Sequence, residues 1–487
     1  MTKQKYFLYS IPVIIVAAVA AYFIFSRSSD AYLKMLPKDA TALARFDVRE
    51  LIDDADLSAT DLYRLVTTSN DTPESAPLGI DMQRPIYAFV TGSGNMGLAA
   101  AVSDIDDLHQ RLDDMQARGK ASERSQQRGY EWVVLDGQWL MAFDSEKALA
   151  MGPAVGAAQD ALRAEMATLL AQKRKDSAAE TQLFAILQDS DESLAAVVAP
   201  EIIPSEGRKA LYHLGIRSQS DALLLLTLGT DGNELELNAK ILAQTDGVKE
   251  KLQQLNKALR PLTAKNIENT HANNVAWMAM NIEGKSIVTF LRSRTSTRTA
   301  LIALNIILDL DQILQAIDGD IALELMSPVS VARGFNHSDI QDFCLTAELS
   351  NTDFMRYSSR WGNDYIRVNA LSTDDLSIHI SDAELFFGAK DKHLYFSNAQ
   401  GLPAEGNAYL REQRDDIDDC RFYATFFAPA LISALVSEAA TNGLDISLPP
   451  ALQQFQRLNI MMKEAGELHL SLIAPEGLNI ARELIKP

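Results

Sequence analysis

The sequence predicts an α+β fold of two similar tandem lobes, each a mainly antiparallel sheet covered by helices, preceded by one transmembrane helix. Three observations carry that expectation. First, segments recur at a nearly constant spacing. Residues 42–48 (Ala-Leu-Ala-Arg-Phe-Asp-Val) return at 276–282 (Ala-Trp-Met-Ala-Met-Asn-Ile), 234 positions on; Ile86 and Ile321 open apolar runs 235 apart; residues 233–238 face 466–471 at 233. Such a period is on the scale of a domain, not of a solenoid repeat. Second, short apolar segments alternate with turn dipeptides and helix-start signals, the pattern of paired strands broken by capped helices. Third, residues 6–25 form a charge-free run of 20 residues, enough at about 1.5 Å per residue to cross a hydrocarbon core of roughly 30 Å.

From the N-terminus, residues 1–5 read as a short cytosolic tail and residues 6–25 as the anchor. A cleaved signal peptide is the alternative, since Ala17, Ala18, Ala20 and Ala21 supply small residues, but Tyr22-Phe23-Ile24-Phe25 carries the apolar stretch past them. Lys3 and Lys5 precede the run, and Arg27, Lys34 and Lys38 follow it. The charge count therefore leaves orientation open, while long domains translocate largely regardless of flanking charge. The expected placement is a single pass through the cytoplasmic (inner) membrane, with the lipid bilayer held by residues 6–25 and the bulk periplasmic.

The first lobe is expected over residues 36–260. Residues 36–40 (Leu-Pro-Lys-Asp-Ala) lead into an apolar segment ending at Phe46, and the polar stretch 67–77 reads as a loop. Strands follow at 86–91 and 98–102, then a Ser103/Asp106 start signal for a helix carrying Leu108, Leu112 and Met115. Residues 130–143 read as a hairpin around Asp136-Gly137, the dipeptide a type I′ turn favours. A two-residue turn sets Val134 opposite Trp139, Trp132 opposite Met141 and Tyr130 opposite Phe143, one largely aromatic face expected in the core. Residues 159–175 read as helix on propensity. The lobe closes with strands about the Asp231-Gly232 turn and a helix over 248–259, and residues 260–274 read as the joint. The second lobe, residues 272–487, repeats these devices: strand 345–349, a Ser350/Asp353 start signal, hairpin 385–396, strands 458–462 and 467–473, helix 478–485.

The chain holds 65 Asp and Glu against 45 Lys and Arg, a net charge of −20. That field repels nucleic acid and is read as a solubilising surface. Cys344 and Cys420, the two cysteines, suffice for one bridge and not for a disulfide framework or a four-cysteine zinc site. Gly92-Ser93-Gly94-Asn95-Met96-Gly97 has the GxGxxG spacing of a dinucleotide loop, yet a strand and not a helix follows the third glycine, so it reads as a hairpin turn. The seven histidines lack metal-site spacing. The acidic clusters 53–56 and 415–419 lack the glycine and glutamate of a calcium loop, and Asp318-Gly319-Asp320 reads as a turn. No GxSxG, HExxH, SxxK or phosphate-loop motif is present. No catalytic, metal or cofactor-binding residue, and no cofactor, is therefore assigned. The contact residues assigned are Trp361 and Tyr365, both expected to be exposed in a polar segment beside Arg360 and Asn363.

Residues 36–42 (Leu-Pro-Lys-Asp-Ala-Thr-Ala), Phe46-Asp47-Val48 and residues 77–81 (Pro-Leu-Gly-Ile-Asp) resemble an uncharacterised family of anchored bacterial envelope proteins, the domain of unknown function DUF4836. Members typically carry a signal peptide and often a lipid-anchoring cysteine, which this chain lacks after its apolar run. The resemblance supplies no catalytic residues. Anchor, repeats and missing motifs together point to a membrane-anchored, non-enzymatic binding or scaffolding protein of the envelope with an envelope protein partner. The alternative is an envelope-polymer hydrolase or other enzyme with an interlobe site.

Overall fold

A computed structural model of the chain describes residues 30–50, 79–203, 205–293, 302, 305, 307–326, 343–380, 383–429, 432–433 and 453–485. Residues 1–5, the apolar run 6–25 and the acidic cluster 53–56 lie outside them. Among the described residues no helix is long and apolar enough to cross a membrane. The chain divides into two compact units, Met1–Lys249 with Glu476–Pro487, and Glu250–Pro475.

In the first unit β1 (Ala42–Phe46) lies between β2 (Ile86–Val90) and β8 (Leu194–Val198). From β2 the ladder runs through β3 (Met96–Ala101), β7 (Lys147–Gly152), β6 (Trp139–Phe143) and β5 (Tyr130–Leu135) to β4 (Ser125–Gln127). From β8 it runs to β9 (Ala222–Asp231) and β10 (Glu234–Ala243). Every pairing is antiparallel, because short apolar strands joined by tight turns need no crossover helix. One face packs on α1 (Ile105–Ala117) through Leu108 and Leu112. The other packs on α2 (Ala158–Ala171) and α3 (Gln182–Gln188) through Leu162, Met166, Leu169, Phe184 and Leu187. Asp104, not Ser103, caps α1, accepting from the backbone N–H of Asp106 and Asp107. The GxGxxG segment is the β2–β3 turn, with Gly94 at φ +87°. A Cβ on Gly97 would run into the Phe89 ring, which lies across β3.

The hairpin register differs from its expectation by one residue. Asp136 and Gly137 do take positive φ, and the Gln138 N–H donates to the Leu135 carbonyl at 3.1 Å. The Gln138 carbonyl, however, accepts from Ala154 at 2.8 Å. The ladder then resumes with Leu135 opposite Trp139, Val133 opposite Met141 and Glu131 opposite Phe143. A slip of one residue sends alternate side chains to opposite faces. The single aromatic face does not form: Trp132 joins the core under α2, and Phe143 joins the core under α1.

In the second unit β11 (Leu259–Arg260) adds to β12 (Ala276–Glu283), which lies between β13 (Ile317–Leu325) and β19 (Phe422–Phe427). From β13 the ladder runs through β14 (Phe343–Leu349), β18 (His393–Ser397), β17 (Ala383–Lys390) and β16 (Asp375–Ile380) to β15 (Ile366–Ala370). From β19 it runs to β20 (Arg457–Met462) and β21 (Glu467–Ile473). The strand order 4-5-6-7-3-2-1-8-9-10 of the first unit thus has its counterpart in 15-16-17-18-14-13-12-19-20-21. One face is apolar, with Ile313 and Ala316 of α4 (Leu310–Ala316), Leu349, Phe354, Trp361, Leu376 and Phe387 in one cluster. The other face lies beneath the segment 262–274, α5 (Ala408–Glu412) and α6 (Arg414–Asp418), which contribute Leu262, Ile267, Leu410 and Ile417. Both terminal-hairpin helices form, Asp246–Ala258 and Ile480–Ile485, and the latter docks in the first unit, its Ile480 N–H donating to Gly232 O at 3.1 Å.

One expectation changes here. Asp318-Gly319-Asp320 is not a turn but the bulged start of β13, with Gly319 at φ +151° and Asp320 1% exposed. A Cβ on Gly319 would collide with the Glu348 carboxylate. The residues read as the joint, 260–274, carry buried polar side chains, among them Asn266, Thr270 and Asn274.

Candidate functional site

The second face of the second unit carries a feature foreign to a sheet core. Directly opposed residues form one row across seven adjacent strands: Ser397, Cys344, Glu324, Trp277, Thr425, Asn459 and Ser471. Each carries a polar group and each is no more than 2% exposed. The counterpart row of the first unit is Met151, Gly97, Phe89, Leu43, Val197, Leu225 and Lys240, apolar except at its exposed end. The corresponding ladder positions are largely apolar in one unit and polar in the other.

Glu324 is the centre of that layer. Taking a carboxylate out of water costs several kcal/mol in order of magnitude unless hydrogen bonds replace the lost hydration. Three donors do so: the His271 backbone N–H at 3.0 Å, His271 Nδ1 at 2.7 Å and Asn274 Nδ2 at 3.2 Å. Asn274 Oδ1 accepts from Asn407 Nδ2 at 3.1 Å, Asn407 Oδ1 accepts the Leu410 N–H at the start of α5, and the Asn407 N–H donates to Thr270 Oγ1 at 2.9 Å. The covering segments are thus tied to the sheet by side-chain amides.

At the other end of β13, Asp320 accepts from the Thr263 N–H at 2.9 Å and the Thr263 hydroxyl at 2.8 Å, with Asn266 Nδ2 on its carbonyl at 2.9 Å. Glu348 lies beside Thr263, with Lys265 Nζ 3.8 Å from its Oε1. Burial holds the Asp320 carboxyl above its ordinary 3.8; the Thr263 hydrogen bonds pull it back, Glu348 raises it further and Lys265 lowers it. The native protein therefore takes up this proton more readily than the unfolded chain. The stability Asp320 contributes is fully present below about pH 3.8 and is lost as pH rises through the higher native value. Asp320→Asn, compared with the parent by urea unfolding between pH 3 and 7, is expected to gain stability relative to the parent as pH rises; a variant that loses stability relative to the parent as pH rises would contradict the sign.

Chemically this is a poor setting for nucleophilic catalysis. Burial and the Glu324 charge push the Cys344 thiol up to about 12, and burial pushes Cys420 up to about 11, the opposite of what an attacking thiolate needs. Both cysteines are free. His109 is likewise engaged, with Nε2 2.7 Å from Glu131 Oε1. In the first unit the GxGxxG turn is tied to α2: Ser93 Oγ donates to Glu165 Oε1 at 2.9 Å and Asn95 Nδ2 to Glu165 Oε2 at 2.6 Å.

The two assigned contact residues part company. Trp361 is 7% exposed, stacked on Phe354 at 6.5 Å and edge-on to Phe387 at 5.6 Å, with Nε1 donating to Asp309 Oδ2 at 3.1 Å. Its expected exposure is corrected: the 3₁₀ turn Asp353–Arg360 folds onto the sheet and brings the indole into the apolar cluster. Tyr365 is 84% exposed. It immediately precedes β15, whose ladder partner among the described residues is β16. Tyr357 and Leu371, on either side of it in sequence, are exposed as well. The polar row escaped sequence reasoning because polar residues at alternate strand positions read as a solvent face. The available signal was the comparison of repeats, where Phe89 is answered by Glu324 and Leu43 by Trp277.

Among solved structures, crystal form I of TP0453 aligns at 12% identity and a TM-score of 0.26, covering 48% of this chain and 88% of that one. Crystal form III of the same protein aligns at 10% and 0.26 over the same shares. Likeness at that level carries no argument about fold or activity. No curated protein matches the chain. The profile of a domain of unknown function, DUF4836, matches residues 63–425. Since that match spans well over half of the 487 residues, the chain belongs to the DUF4836 family.

Proposed function

We propose that the protein is a membrane-anchored, extracytoplasmic binding or scaffolding protein of the bacterial envelope, non-enzymatic, held in the cytoplasmic membrane by residues 6–25 and built from two tandem copies of one sheet-and-helix unit. The repeated strand order supports the tandem reading, and the uncharged run of 20 residues supports the anchor. One observation carries the choice of binding over catalysis. The buried ionisable side chains Glu324 and Asp320 are taken up by structural donors, whereas Tyr357, Tyr365 and Leu371 stand in solvent beside the outer strand β15. Exposed aromatics next to a strand with one ladder partner among the described residues suit a protein contact.

A photo-crosslinking phenylalanine analogue placed at Tyr365 of the full chain, in native membranes, tests this. A reproducible adduct with one envelope protein is expected from position 365 and not from Val155, an exposed position in the first unit. Equal or absent adducts at both sites would refute the contact face. Loss of the chain from the membranes in an alkaline wash would refute the anchor separately.

A further inference from the structure

We propose that the polar row of the second unit is a hydration site: a file of ordered water molecules bridging Trp277, Thr425, Asn459 and Ser471 inside the protein. Four polar atoms in this row, Trp277 Nε1, Thr425 Oγ1, Asn459 Oδ1 and Ser471 Oγ, are buried and make no hydrogen bond to another protein group among the described residues. They come from four consecutive strands, β12, β19, β20 and β21, at directly opposed positions. Buried polar groups are satisfied in the great majority of cases, and water is the usual partner where protein is not.

The spacing of a sheet favours water over direct contact. Neighbouring strands lie about 4.8 Å apart, too far for short hydroxyl and amide groups standing in parallel to bond each other. Two atoms at that separation are bridged by one water with two legs of about 2.8 Å at a near-tetrahedral angle. The donor inventory fits a file: the indole N–H donates, the amide oxygen accepts, and the two hydroxyls do either. The amide nitrogen of Asn459 is already committed, donating to Tyr409 Oη at 2.7 Å, which fixes its oxygen on the other side. In the first unit the same four positions are Leu43, Val197, Leu225 and Lys240, so hydration is a property of one unit and not of the architecture. The inference is independent of the contact reading at Tyr365.

The test turns on a sign. If the Thr425 hydroxyl were merely orphaned, Thr425→Val would remove an unsatisfied group and raise stability; if it holds a bridging water, the same change lowers it. Urea midpoints of the full chain in detergent are measured for Thr425→Val, Ser471→Ala and the double variant. Both single changes are expected to lower the midpoint. The double variant should fall by less than the sum, because residues two strands apart couple only through a shared file. An unchanged or raised midpoint for Thr425→Val, or strictly additive shifts, overturns the proposal. A crystal structure of the full chain at a resolution showing water gives a second readout: discrete density between these side chains is expected, and dry packing or density for an organic molecule overturns it.

Discussion

Glu324→Ala is expected to cost about 3–5 kcal/mol of stability, because several buried donors lose their acceptor at once, at about 1–3 kcal/mol each. The side chain is 2% exposed and receives three donors, two of them from His271. Its loss leaves the Asn274 amide and the His271 N–H unpaired under the covering segment and opens a cavity beside Trp277. The effect propagates, since Asn274 holds Asn407, and Asn407 starts α5. His271→Ala should cost less, because the backbone N–H and Asn274 still serve the carboxylate. In a double-mutant cycle by urea unfolding the two changes should be strongly non-additive. A loss of under about 1 kcal/mol for Glu324→Ala, the scale of an exposed ion pair, would mean that the carboxylate is solvated.

Trp361→Ala should be comparably damaging, at about 3–5 kcal/mol for deletion of a large buried aromatic, while Tyr365→Ala should stay within about 0.5 kcal/mol. They lie four positions apart and both are aromatic, yet one fills the space between Phe354 and Phe387 and the other stands in water. Trp361→Phe should recover most of the packing and still forfeit the indole bond to Asp309, leaving it between the parent and the alanine variant. Thermal unfolding of the two Trp361 variants beside Tyr365→Ala checks the order, and similar losses at 361 and 365 would invalidate the assignment of inner and outer positions.

Where the sequence misled, it did so for one recurrent reason: local pattern reports which residues alternate, not what covers them. Asp320, Ala322 and Glu324 alternate as a solvated strand face would, but segment 262–274 lies over them. The 266–274 stretch looked like a joint because Asn, Thr and His are loop residues; here the same groups supply the donors that make a buried carboxylate tolerable. The hairpin failed differently. Asp136-Gly137 produced its turn, but a bond from Ala154, distant from the turn, took the Gln138 carbonyl and moved the ladder by one residue.

The α+β class, the antiparallel pairing and the helix at α2 were already written in the sequence. They follow from short-range chemistry: turn dipeptides, caps and the period of apolar residues. The fates of Trp361 and Tyr365, the register of β5 on β6, and the polar row from Ser397 to Ser471 were decided by tertiary structure alone. Each depends on which face another segment buries, and a side chain's environment is set by neighbours that are far away in sequence.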